Sequence, residues 1–128
     1  MNTFIMHVSH KCEWQPTLWI SSMEGSESEA GQATIELDQE WISALRYDDV
    51  IHDYDDIELI ALESMIQNYQ SYLIEWKGGE LVQRLIDAIP EGSQIVIDND
   101  HGVICPVDWI KELPLESWVR ASHLNRLD

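Results

Sequence analysis

The segment Asp48–Trp76 reads DDVIHDYDDIELIALESMIQNYQSYLIEW and joins the densest run of carboxylates in the chain to a long amphipathic pattern. From Leu59 onward, apolar residues recur three and four positions apart, which is the spacing of one face of an α-helix. These residues are Leu59, Leu62, Ile66, Tyr69, Leu73 and Trp76. The pattern predicts one long helix that supplies part of the hydrophobic core.

Sequence signals at both ends of this segment set the limits of the predicted helix. Asp55 followed three residues later by Glu58 predicts a capping box at the start. Gly78-Gly79 predicts the end of the helix near Lys77. Ile60 and Ile74 lie off the apolar face, so we expect another element or a partner to cover them.

The rest of the chain predicts short strands and helices on either side of this helix. The alternation of residues and the positions of proline and glycine give the expected elements. Before the long helix, they are strands at 3–8, 17–21 and 34–37, an acidic loop at 24–31 and a helix at 38–46 capped by Asp38. After it, they are a helix at 80–89 antiparallel to the long one, a hairpin from 94–97 and 103–105, a short helix after Pro106 and a final helical or irregular segment at 115–124.

This order of elements predicts an α+β fold with a single domain over residues 1–128. A chain of 128 residues suits one hydrophobic core. We expect a small antiparallel sheet, made of the N-terminal strands plus a C-terminal hairpin, packed against an antiparallel helix pair.

Composition indicates a folded, cytoplasmic protein. The chain is 45% hydrophobic and contains six tryptophans, which is atypical of disordered acidic chains. Its apolar runs are only a few residues long, so we expect no membrane span. The first residues lack a basic start followed by a long apolar block, so no secretory signal is predicted and cytoplasmic localisation is the default.

The charge is strongly acidic and unevenly distributed. The chain has 24 acidic and 7 basic residues, a net charge of −17 with neutral histidines. Between Lys11 and Lys77, Arg46 is the only basic side chain. Such a protein repels nucleic acid and anionic lipid and attracts basic surfaces. We therefore expect a basic protein partner, with no direct nucleic-acid binding and no membrane binding.

The acidic tract before the long helix is the strongest candidate for a binding surface. Asp55, Asp56 and Glu58 are explained by the favourable interaction of anions with a helix N-terminus. Asp48, Asp49 and Asp53 have no such explanation, since we expect no adjacent cation to offset their repulsion. Tyrosines, which are frequent interface residues, lie among these acids. The predicted partner-binding residues are Tyr47, Asp48, Asp49, Asp53, Tyr54, Asp55 and Asp56.

No motif indicates a catalytic residue, a metal site or a cofactor. The nucleotide-binding, hydrolase and dithiol signatures are absent. Neither the acidic tract nor the loop Asp98–Gly102 has the spacing of a calcium-binding EF-hand loop. The sequence leaves open whether Cys12 and Cys105 meet in space. It also leaves open whether zinc ligands converge, from the set His7, His10, Cys12, His101 and Cys105.

These observations favour a small acidic protein that binds and neutralises a basic partner. The leading hypothesis is an immunity or antitoxin-type inhibitor of a toxin nuclease, which occludes the nucleic-acid-binding cleft of the toxin. The alternatives are a DNA-mimic inhibitor of a defence enzyme and, from another class, a small metal- or thiol-dependent enzyme that uses His and Cys residues. An acidic domain whose charge serves only solubility is the fourth interpretation.

Overall fold

A computed structural model describes residues 2–23, 26–27 (backbone only) and 31–124. The strands are β1 (Asn2–Ser9), β2 (Ser26–Glu27), β3 (Gln32–Leu37), β4 (Glu40–Arg46), β5 (Tyr69–Lys77), β6 (Ile95–Asp98) and β7 (Ile104–Pro106). The α-helices are α1 (Pro16–Ser22), α2 (Asp56–Met65), α3 (Glu80–Ala88) and α4 (Leu115–Trp118), and two 3₁₀ helices span Asp48–Asp53 and Val107–Trp109. Most of the predicted acidic loop at 24–31 lies outside the described residues.

The strands form one antiparallel sheet in the order β2-β3-β4-β5-β1-β6-β7. β1 lies inside the sheet, where Phe4 faces Ile74 of β5 and Val8 faces Ile95 of β6. The predicted C-terminal hairpin is confirmed as β6 and β7, with Ile97 opposite Cys105. The chain therefore has the predicted α+β fold with an antiparallel sheet.

Alternation along the strands gives the sheet two different faces. On the first face, Phe4, Met6 and Val8 of β1 join the main hydrophobic core, which α1 and α3 cover. On the second face, which includes His7 and Val96, the buried Leu62 of α2 and Ile66 just after the helix form a smaller core with Val96. Helices therefore pack on both sides of the sheet.

The prediction of one long helix through Lys77 is wrong. α2 ends at Met65, and the second half of the apolar pattern forms the nine-residue strand β5. The helical path ends at Ile66, whose backbone is extended with φ of −151° and ψ of 142°. Asn68 then adopts a left-handed backbone with φ of 53° in the connection to β5. As a result, the predicted antiparallel helix pair does not form, and α3 follows a central strand instead of a helix.

Two shorter elements were also predicted with the wrong structure. Residues 17–21 belong to α1, because Pro16 occupies the first helical position, which its fixed φ favours. Residues 40–46 form β4, and Asp38 is a turn residue, not a helix cap. Asp38 and Gln39 both have positive φ, 51° and 71°, and so form the tight turn between β3 and β4.

Several local predictions are confirmed. The strand predicted at 3–8 is β1, and the strand predicted at 34–37 lies within β3. The helix predicted at 80–89 is α3, whose apolar side is buried. Within the part of the chain that the structure describes, we find no helix long and apolar enough to cross a lipid bilayer.

Candidate partner-binding surface and adjoining cavity

The acidic tract lies in a long surface connection between two neighbouring strands. β4 and β5 pair directly, but the connection between them contains the 3₁₀ helix Asp48–Asp53 and α2. The two ends of the connection meet where the Tyr47 amide donates to the Ser71 carbonyl at 2.8 Å. The connection therefore presents the carboxylates outward while α2 covers the second face of the sheet.

The structure exposes six of the seven predicted partner-binding residues. They are Tyr47, Asp48, Asp49, Asp53, Asp55 and Asp56. Tyr54 differs, because its ring is half-buried and its hydroxyl points into the protein. The predicted set is thus a solvent-facing group of acids with one inward-facing tyrosine.

Asp48 has a structural role that the sequence analysis missed. Its carboxylate accepts two hydrogen bonds of 2.9 Å from Arg46 and one of 2.9 Å from the Ser71 backbone amide. Burial opposes ionisation of this carboxyl, but the bonds from Arg46 and Ser71 outweigh it and lower the pKa of Asp48. The expectation that no adjacent cation offsets Asp48 is therefore wrong.

Asp55 begins α2 as predicted. Its carboxylate accepts from the Glu58 amide at 2.8 Å, and the Glu58 carboxylate accepts from the Asp55 amide at 3.1 Å. This capping box satisfies two amides that the helix would otherwise leave without partners. Asp49 is more weakly engaged, at 3.9 Å from the exposed His52.

A buried chain of hydrogen bonds connects the acidic tract to the sheet. Tyr54 Oη donates to Asp98 Oδ2 at 2.6 Å and lies 2.9 Å from His7 Nε2, while His7 Nδ1 lies 2.7 Å from Ser71 Oγ. Because Tyr54 gives its proton to Asp98, it must accept from His7 Nε2–H. His7 Nδ1 then accepts from the Ser71 hydroxyl. This arrangement fixes the tautomer of His7.

Burial shifts the ionisation of all three linked side chains toward their neutral forms. Desolvation lowers the pKa of His7 from 6.5 to about 4, so the ring is neutral at pH 7. Burial also raises the pKa of Tyr54, assisted by its hydrogen bond to Asp98. The pKa of Asp98 rises for the same reason, although hydrogen bonds from Tyr54 and the Asp100 amide oppose the rise.

A cavity of about 310 Å³ opens beside this network. Ile5, Val50 and Leu73 supply apolar side chains to its lining, together with the two tyrosines Tyr47 and Tyr54. Four carboxylate residues also line it, and they are Asp53, Glu58, Asp98 and Asp100. The cavity therefore combines an apolar wall with concentrated negative charge.

Two isoleucines on α2 are exposed to solvent. Ile57 and Ile60 are 79% and 70% exposed, the highest values among the large hydrophobic residues of the described chain. They lie three positions apart and hence on one side of the helix. Ile60 lies off the apolar face of the sequence pattern, and neither isoleucine is among the predicted partner-binding residues. Ile74, the other exception, is buried in the sheet.

The possible zinc site does not assemble. His7 contacts Tyr54 on one side of the sheet, whereas Cys105 lies in the main core on the other side. Within the described residues, we find no cluster of three or more His, Cys, Asp or Glu side chains arranged to hold a metal ion. Cys12 and Cys105 are both thiols, with Cys105 buried and Cys12 partly buried.

Comparisons of the chain with protein-family models, curated proteins and solved structures gave no significant match, so the roles of these residues rest on geometry and physical chemistry.

Proposed function

We propose that this protein binds and neutralises a basic protein partner through the outward side of the 3₁₀ helix Asp48–Asp53 and α2. We call this region the acidic surface. It comprises Tyr47, Asp49, Asp53, Asp56, Ile57 and Ile60. The partner that suits it best is a toxin nuclease, so the protein would act as an immunity or antitoxin-type inhibitor that occludes the nucleic-acid-binding cleft.

The exposure of Ile57 and Ile60 within a field of carboxylates is the observation that carries this proposal. Removing a largely exposed isoleucine from water contributes roughly 1.5–3 kcal/mol. A charged surface that serves only solubility has no need of such exposed apolar side chains. Protein interfaces combine apolar residues with polar ones, and this surface contains both kinds.

The negative charges of the acidic surface are the second observation that supports a basic partner. Among the described residues, the carboxylates of Asp53 and Asp56 form no ion pair, and that of Asp49 pairs only with the exposed His52, at 3.9 Å. Their mutual repulsion would be relieved by a cationic surface, such as a cleft that binds phosphates. Complementary charge also accelerates encounter, particularly at low salt. Inhibition would then follow from steric blockade of the cleft.

The two isoleucines favour this interpretation over a DNA mimic. A DNA mimic presents carboxylates spaced like phosphates to a site that binds a polyanion, and exposed isoleucines have no counterpart in that polyanion. A toxin-binding surface, in contrast, uses apolar residues to exclude water around its charged contacts.

The test begins with purified chain as bait in extracts of the source cell, followed by purification of the recovered partner. Binding of the two pure proteins is then measured by calorimetry at several salt concentrations. We expect Ile57→Ser/Ile60→Ser to weaken binding by about 100-fold, corresponding to about 3 kcal/mol. The control is Leu18→Ser/Leu37→Ser, because both leucines are also exposed, at 58% and 45%, but lie elsewhere.

The proposal predicts specific outcomes for the partner as well. The partner should be basic, and if it is a nuclease, equimolar addition of this protein should stop its activity. Equal binding by the isoleucine variant and the leucine control would refute the proposed surface. Recovery of a partner whose affinity does not fall with added salt would refute the electrostatic part.

A further inference from the structure

We propose that the cavity beside Tyr54 receives an arginine side chain of the basic partner. This inference rests on the proposed function and names the contact at its centre. The cavity lies next to the acidic surface, because Tyr47 and Asp53 belong to both. A residue projecting from a protein docked on α2 would therefore find this opening at the edge of the interface.

The size and lining of the cavity suit one long side chain. Its volume of about 310 Å³ is at the lower end of the range of roughly 300–1,000 Å³ for small-molecule sites. Ile5, Val50 and Leu73 offer apolar surface for the methylene stem of the arginine. Tyr47 and Tyr54 also line the cavity, and tyrosine rings attract guanidinium groups through cation–π interactions.

The buried carboxylate of Asp98 is the observation that points to a cation. Asp98 is only 4% exposed, yet the ion pairs of the described chain, which involve Asp48, Asp49 and Glu80, do not include it. A buried carboxylate without a counter-charge is unfavourable unless its hydrogen bonds compensate. Here it has one from Tyr54 and one from the Asp100 amide. An incoming cation would supply the missing charge.

The arrangement of acids favours arginine over lysine. Asp53, Glu58 and Asp100 line the same cavity as Asp98 but come from three different segments of the chain. A guanidinium group has five N–H donors in a planar fork, so it can reach several acceptors at once. A lysine ammonium is a compact, strongly hydrated charge and would lose more of its hydration in the same position.

The direct test is a titration of the intact protein with Nα-acetyl-arginine amide, followed by NMR of backbone amides and methyl groups. We expect saturable shifts at Ile5, Val50 and Leu73, with a Kd in the millimolar range that suits a single side chain. The neutral analogue Nα-acetyl-citrulline amide has nearly the same shape and should leave these signals unchanged. Equal shifts with both compounds, or none with either, would overturn the inference.

Isosteric variants then identify the carboxylates involved. Glu58→Gln keeps the capping box, since glutamine also serves at that position. Asp100→Asn keeps the left-handed backbone, where φ is 63° and asparagine is well tolerated. With Asp53→Asn added, the triple variant should weaken the arginine probe at least tenfold. The control removes three exposed acids elsewhere, by Asp108→Asn, Glu112→Gln and Glu116→Gln.

The two proposals fail in distinguishable ways. If the partner binds through Ile57 and Ile60 but the arginine probe does not shift the cavity residues, the cavity inference is wrong and the proposed function stands. If the probe binds in the cavity but no basic partner is recovered, the proposed function is wrong. Equal effects of the triple variant and its control on probe binding would contradict the assignment to these carboxylates.

Discussion

Replacing Tyr54 by phenylalanine should destabilise the protein far more than the loss of one exposed hydroxyl would. The Tyr54 hydroxyl is the central link of the buried chain, because it accepts from His7 and donates to Asp98. Tyr54→Phe keeps the ring and its edge-on contact with His7, whose ring centroid lies 5.9 Å away. The change therefore removes the hydrogen bonds with little effect on packing.

The expected magnitude follows from what the two partners lose. His7 is fully buried, and an N–H left there without an acceptor costs about 1–3 kcal/mol. Asp98 loses a hydrogen bond to a charged group, worth about 1.5–3 kcal/mol, but keeps the Asp100 amide. Water entering from the adjoining cavity would restore part of this loss. We expect a net loss of about 2–4 kcal/mol, a substantial part of the stability of a small domain.

Urea unfolding followed by tryptophan fluorescence and circular dichroism measures this loss. Tyr69→Phe is the matched control, because Tyr69 also packs edge-on against His7 at 5.3 Å. Within the described residues we find no hydrogen bond of its hydroxyl, so this variant should lose less than about 1 kcal/mol. If Tyr54→Phe is no less stable than Tyr69→Phe, then the buried chain of hydrogen bonds does not contribute to the stability of the fold.

Two further predictions concern the charged groups of the same region. The pKa of His7 is lower in the folded protein than in the unfolded chain, so the unfolded chain binds the proton at a higher pH. The free energy of unfolding should therefore decrease as the pH falls from 6.5 toward about 4, by about 3 kcal/mol in total. Unfolding as a function of pH, compared between wild type and His7→Gln, measures this contribution, and parallel profiles would contradict it. Asp48→Asn should lower the free energy of unfolding by about 1 kcal/mol through its lost pairing with Arg46, whereas Asp49→Asn should leave it unchanged or raise it slightly. Equal stabilities of the two variants would refute the structural role given to Asp48.

Spacing alone could not distinguish the two halves of the segment Asp48–Trp76. Leu59 to Trp76 fits a helical repeat, but Tyr72, Ile74 and Trp76 also fit the two-residue repeat of a strand, and these three side chains are buried in the main core. The second half is rich in aromatic residues, which favour strands. The aromatic composition of the second half therefore favoured a strand, although the spacing of its apolar residues matched a helix.

The turn between β3 and β4 was missed for a related reason. A two-residue hairpin turn with positive φ at both positions usually contains glycine or asparagine. Here Asp38 and Gln39 adopt it, and glutamine gives no turn signal. Aspartate before an amphipathic run instead looked like a helix cap, which led to the wrong structure for residues 40–46.

The candidate site was partly accessible to sequence reasoning. The acidic tract and Tyr47 were found, because charge density and residue type are visible in the sequence. The link of Tyr54 to His7 and Asp98 was not, since it joins residues from three distant segments that only the sheet brings together. The exposure of Ile57 was also hidden, because it depends on which side of α2 faces the sheet.

The position of β1 has a consequence for the kinetics of folding. Although it precedes every other strand in sequence, β1 lies between β5 and β6, so Val8 must find Gln70 on one side and Ile95 on the other. Contacts between residues so far apart in sequence require large loops to close, which slows folding. β1 cannot be paired on both of its edges until β6 has been synthesised. We therefore expect a nascent chain released before Asp98 to expose the apolar side of β1 and to aggregate, whereas the longer chain refolds on the slower timescale of proteins with non-local strand pairing.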